Sequence, residues 1–147
     1  MTNSLTEPAL DQPFYGAPFG VAVRRFFKKY ATFSGRASRS EYWWWVLASA
    51  IVGFVLQVLI ALTGAARMRP DGMWEIRGGF GVIFVVLFAL WGLATIVPYI
   101  ALLVRRLHDS NRSGFWVFIY FVPLAGPIIL FVFTLLGPKP EGARFDR

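Results

Sequence analysis

The sequence predicts an all-α integral membrane protein with about three transmembrane helices behind an amphipathic interfacial helix, and three observations carry that reading. Residues 42–66, 78–104 and 113–138 contain no Asp, Glu, Lys or Arg. Each stretch exceeds the roughly 20 residues that a helix needs to cross the hydrocarbon core. Hydrophobic residues make up 56% of the 147, and mean hydropathy is +0.56. A water-soluble domain of this size keeps too much surface exposed to bury so large an apolar share. Finally, aromatic residues open two of the stretches, Trp43, Trp44 and Trp45 the first, Phe115 and Trp116 the third. Such rings favour the headgroup boundary.

Residues 1–18 are rich in Pro, Ser, Thr and Gly and show no apolar period, so they are expected to form a disordered cytoplasmic tail. Residues 19–147 are expected to form a single membrane domain. No secretory signal peptide is visible, since the first apolar run begins at Tyr42. On a helical wheel over 19–33, Phe19, Val23, Phe26, Phe27, Tyr30 and Phe33 share one side. Arg24, Arg25, Lys28 and Lys29 share the other. Rings opposite cations suit a helix lying in the membrane surface, where the basic face meets anionic lipid. The alternative is a helix that packs its aromatic face on the rest of the protein.

The expected membrane segments are 42–64, 80–104 and 115–136. Ser49 and Gly53 form one small-xxx-small pair, a weak signal for close helix packing. The third segment carries Pro123 and Pro127 near its middle, where proline removes helical hydrogen bonds. Two forms follow: a span kinked at these prolines, which is favoured, or a re-entrant segment that turns back. Basic residues mark the cytoplasmic side. With the N-terminus inside, a kinked span leaves 9 Lys/Arg inside and 6 outside, whereas a re-entrant segment leaves 12 inside and 3 outside. Either way the expected location is the bacterial inner membrane, multi-pass, with a cytoplasmic N-terminus.

Polar residues concentrate at the membrane boundary, in 34–41 ahead of the first span and in 105–114 after the second. These stretches supply Arg36, Arg39, Glu41, Arg105, Arg106, His108, Asp109 and Arg112. If the second helix runs on past Val104, Arg105, His108 and Asp109 share a face. Asp109 is then expected to pair with Arg105, leaving Arg106 for a phosphate or for Glu41. Orientation signals alone account for these cations. An anion-binding pocket for a lipid headgroup or a small metabolite, with Arg forks as ligands, also accounts for the acids and the histidine.

Other chemistry has little to stand on. The chain has no cysteine and one histidine, so neither a thiolate nor a His-rich metal site is expected, and no cofactor is implied. The serines near His108 match no hydrolase motif, and no catalytic residue is assigned. No charge interrupts the spans where a conduction path would run. The net charge of +7 flanks apolar segments and forms no continuous basic face, which argues against nucleic acid. The expected partners are an anionic membrane lipid and a second copy or another membrane protein.

The same residues carry a family resemblance. Gly35-Arg36-Ala37-Ser38-Arg39-Ser40-Glu41-Tyr42-Trp43, then Arg105-Arg106-Leu107-His108-Asp109 and Arg112-Ser113-Gly114-Phe115-Trp116, resemble domain of unknown function 805. The resemblance covers roughly residues 30–145 and implies a small bacterial inner-membrane protein with three or four helices. It implies no biochemical activity. The ending Gly142-Ala143-Arg144-Phe145-Asp146 departs from the family pattern, with Ala143 where Asn is common and Asp146 where Gly is usual. The resulting expectation is a non-enzymatic membrane scaffold or binding protein, whose polar cluster clamps helices or binds an anionic lipid or partner. A subunit of an oligomeric small-solute transporter or channel is the alternative, and a membrane-bound enzyme stands third.

Overall fold

The computed structural model describes residues 7–146. Its helices are α1 (Phe19–Lys28), α2 (Arg39–Thr63), α3 (Val82–Asp109) and α4 (Ala125–Leu135). Short 3-10 helices cover Gly114–Phe121 and Pro140–Phe145, and strands β1 (Ala66–Met68) and β2 (Trp74–Ile76) form a hairpin. The described residues divide into two compact units, one of residues 7–45 and 97–146, the other of residues 46–96.

The second unit contains most of α2, the hairpin and the first half of α3. The helices α2 and α3 have 25 and 28 residues, about 38 and 42 Å at 1.5 Å per residue. Both exceed the ~30 Å hydrocarbon core. Large apolar side chains stand exposed along them, Phe54, Leu62 and Leu93 among them. Water would not tolerate so continuous an apolar surface, but lipid does. Between them β1 and β2 pair antiparallel with Arg67 opposite Glu75, a hairpin absent from the expected elements because its strands are only three residues each.

The first unit contains α1, the ends of α2 and α3, and everything after α3. At its centre the ring of Phe26 stacks on the indole of Trp45 with centroids 3.3 Å apart, and Phe27 meets the same indole edge-on. The buried residues of α1 are Ala22, Arg25 and Phe26, followed by Lys29 at the C-cap. That i, i+3, i+4, i+7 stripe faces the unit's core. The expected basic interfacial face therefore needs correction: Arg24 and Lys28 point outward, but Arg25 and Lys29 point inward. Phe19, Phe27, Tyr30 and Phe33 remain exposed.

A second correction concerns the tail. Residues 1–6 lie outside the described residues, but 7–18 are held in place, with Phe14 and Ala17 buried. The Phe14 amide donates to Glu41 at 3.0 Å and the Ala17 amide to Ser40 at 3.0 Å. The segment has no apolar period because isolated anchors hold it, the side chains of Phe14 and Ala17 packed with Ala22 and the backbone groups bonded to the start of α2.

The third apolar segment is two short helices that fold back on each other at Pro123–Ala125, where a single kinked helix was favoured. Its 3-10 half is eight residues and α4 is eleven, roughly 16 and 17 Å, each about half the hydrocarbon core. The chain reverses at Leu124, whose φ of 62° and ψ of −54° close a tight turn in which the Ala125 amide donates to Pro123 at 2.7 Å. Gly126 then passes so close to the Ile119 carbonyl that a Cβ would overlap it. Trp116 meets Phe133 edge-on at 5.5 Å, and Arg112 sits 4.1 Å over the same Phe133 ring. Both ends of the segment thus return to the end of α3.

Candidate functional site

The polar cluster assembles around two buried carboxylates, Glu41 and Asp109. Glu41 belongs to the first turn of α2, which opens with a capping box: the Ser38 hydroxyl accepts from the Glu41 amide at 3.2 Å, and Glu41 Oε2 accepts from the Ser38 amide at 2.9 Å. This pairing extends α2 three residues ahead of the apolar run. It also leaves Oε1 for Arg25, whose Nε donates at 2.6 Å. The remaining Arg25 guanidinium donates to the carbonyls of Pro8, Ala9 and Gln12. One arginine therefore joins α1 and α2 to the N-terminal segment, and Glu41 pairs with Arg25 instead of Arg106.

Asp109 sits at the end of α3. Arg106 Nη1 donates to its Oδ2 at 2.5 Å and the Tyr15 hydroxyl to its Oδ1 at 2.7 Å. Burial, then the bond to Asp109, pushes the Tyr15 hydroxyl well above its ordinary range. Arg106 is fully buried. It donates to Thr134 O at 3.0 Å, to Ala37 O at 3.3 Å and to Leu136 O. Thr134 and Leu136 lie at the C-terminal end of α4, where carbonyls lack helical partners and a cation is favoured. The expected Arg105–Asp109 pair is thus replaced by Arg106–Asp109, because those carbonyls draw Arg106 to that side.

Arg105 points the other way. Its Nε donates to Ala101 O at 3.1 Å, while Arg105 Nη2 and Lys29 Nζ are buried with no hydrogen-bond partner among the described residues. Lys29 has its amine pulled down to about 8 by burial first and by the charge of Arg105 second.

The other residues named from sequence lie around this centre. Arg36 binds Asp146 with both Nε and Nη2, the shortest bond being 2.6 Å, a contact that raises the Arg36 pKa further. The departure at Asp146 from the family ending thus supplies Arg36 with its carboxylate. Arg39, exposed, donates to Leu136 O at 3.1 Å. Arg112 donates to Ser110 O at 3.2 Å while covering Phe133. His108 Nδ1 bonds the Gly35 carbonyl at 3.1 Å, and its ring stacks on Phe145 at 3.9 Å. Arg25 and Lys29, expected on the basic face of α1, belong to the cluster instead, and Tyr15 and Asp146, which the sequence did not single out, join them. The Ser38–Glu41 spacing and the stripe from Ala22 to Lys29 were the signals for the first two.

The family model for a protein of unknown function, DUF805, matches residues 30–147. The chain belongs to the DUF805 family. Two relatives from Escherichia coli K12 are inner membrane protein YhaH, 34% identical over 121 residues, and inner membrane protein YhaI, 40% identical over 106 residues. The first alignment covers 82% of this chain and 89% of YhaH, the second 72% and 75% of YhaI. Neither name carries an enzymatic activity. No solved structure matches the chain. With its long apolar helices, this DUF805 chain is a mostly helical membrane protein whose relatives are inner membrane proteins.

Proposed function

We propose that this protein is a non-enzymatic inner-membrane scaffold whose polar cluster is a clamp. The observation that carries the reading is Arg106: a fully buried guanidinium bonded to Asp109 and to the carbonyls of Ala37, Thr134 and Leu136. A guanidinium whose donors are already spent on the chain itself has little left to offer a ligand. Arg25 is spent in the same way on Glu41 and the N-terminal segment. The cluster therefore ties the segment before α1, the start of α2, the end of α3 and the end of α4 into one layer. A re-entrant third segment brings both polar stretches and the tail to the same membrane side, with 12 Lys/Arg there against Arg67, Arg69 and Arg77 on the other. That side is the cytoplasm.

Hydrogen exchange on Arg106→Met in mild detergent tests the clamp. Protection should fall together in residues 7–18 and 139–146, while the body of α2 stays protected. Loss confined to the immediate neighbours of residue 106, or no loss, would remove the clamp.

A further inference from the structure

Two adjoining cavities, in contact through His108, have the chemistry of an amphiphile site. The larger, about 830 Å³, is a groove between the last turns of α3 and the Gly114–Phe121 helix, walled by Phe33, Leu103, Val104, Phe115, Phe118 and Phe121. Its size falls in the range of small-molecule sites. The smaller, about 480 Å³, is lined by Ser34, His108, Arg144 and Phe145. Ser34 on the smaller cavity follows Phe33 on the larger in the chain. At the junction a Cβ on Gly114 would meet Val104 Cγ1 at 2.7 Å and His108 Nε2 at 3.5 Å. Since His108 Nδ1 is committed to Gly35 O, Nε2 is the ring atom left toward the cavities.

The polar mouth carries a charge that no described carboxylate pairs with. Arg144 lies 4.7 Å over the Phe145 ring, which in turn stacks on His108. Among the described residues Arg144 has no carboxylate partner, unlike Arg25, Arg36 and Arg106. A guanidinium and a serine hydroxyl at the mouth suit a phosphate diester. The aromatic groove beneath suits an alkyl chain. A free phosphate would leave the groove unused, and an apolar partner helix would leave Arg144 without an anion. The mouth also lies where α3 leaves its apolar run at Val104.

We infer that this composite cavity binds one anionic phospholipid, its phosphate at Arg144 and Ser34 and one acyl chain in the groove along Phe115, Phe118 and Phe121. The inference goes beyond the clamp and uses none of its ion pairs, so either can fail without the other.

Native mass spectrometry with phosphatidylglycerol titrated into the detergent-purified protein tests it, using wild type, Arg144→Ala, Val117→Trp to fill the groove, and Arg69→Ala as a hairpin control. Arg144 is exposed and Val117 half-buried, and thermal denaturation of each variant establishes that it is folded. The expected result is one saturable lipid, weakened at least about tenfold in both site variants and unchanged in Arg69→Ala. Equal retention in all four proteins would overturn the site. Weakening by Arg144→Ala alone would remove the acyl groove, and weakening by Val117→Trp alone would remove recognition of charge. Inorganic phosphate binding as tightly as the lipid would also refute it, as the source would then be a free anion.

Discussion

Replacing Glu41 by Gln removes one charge without changing shape, and the surrounding groups make that change costly. Glu41 is 3% exposed and accepts from Arg25 at 2.6 Å, from the Phe14 amide at 3.0 Å and from the Ser38 amide at 2.9 Å. A glutamine amide turns one of these acceptors into a donor facing a donor. It also leaves Arg25, Lys29 and Arg105, all buried, with no buried carboxylate of their own. Breaking a buried ion pair by removing one partner costs about 3–5 kcal/mol. Thermal and denaturant unfolding in mild detergent should therefore place Glu41→Gln about that far below wild type. Because much of the loss is uncompensated positive charge, Lys29→Met should restore about 1 kcal/mol or more when added to Glu41→Gln. Glu75→Gln is the control, since its 3.3 Å pair with Arg67 is exposed and should cost under about 1 kcal/mol. A Glu41→Gln protein within about 1 kcal/mol of wild type, or a double variant worse than the single one, would refute the charge argument.

Three further outcomes are expected. Gly126→Ala places a methyl group on the Ile119 carbonyl and should destabilise the protein by about 1–3 kcal/mol, whereas Gly20→Ala, which meets open space, should not; comparing their melting temperatures checks this. Lys29 titrates at about 8 in the folded chain against its ordinary 10.5, so between those values the unfolded chain holds more protons and stability rises with pH, its Lys29-dependent part being flat below about 8. Lys29→Met should be more stable than wild type at pH 7 and should lose the rise from about 8 to 10.5 in pH-dependent unfolding. Ser38→Ala removes the N-cap oxygen of α2 and should cost about 1 kcal/mol in the same unfolding assay.

The two long helices were legible because uncharged apolar runs of that length rarely occur outside a bilayer, and the end of α3 was legible because Arg105, His108 and Asp109 fit a continuing helix. The partners inside the cluster were harder to read. Arg105 and Arg106 are equivalent by spacing to Asp109, within one residue, and only the carbonyls returned by α4 decide between them. The α1 stripe Ala22, Arg25, Phe26, Lys29 has the correct helical spacing, but two of its members are cations. A wheel that sorts residues by hydrophobicity places them outside, whereas the single acid Glu41, 16 residues from Arg25, brings them inside. The fold-back of the third segment depended on Gly126 touching Ile119, a contact that periodicity does not encode.

The side of the membrane on which the tail lies tests the account most directly. The chain has no native cysteine, so single cysteines at Ala143 in the tail and Asp71 in the hairpin can be labelled with a membrane-impermeant maleimide in intact spheroplasts and in inverted vesicles. A clamp closed over a re-entrant third segment requires Ala143→Cys to label only in inverted vesicles and Asp71→Cys only in spheroplasts. Labelling of both from the same outer face would mean that the third segment crosses the bilayer, and would contradict the account.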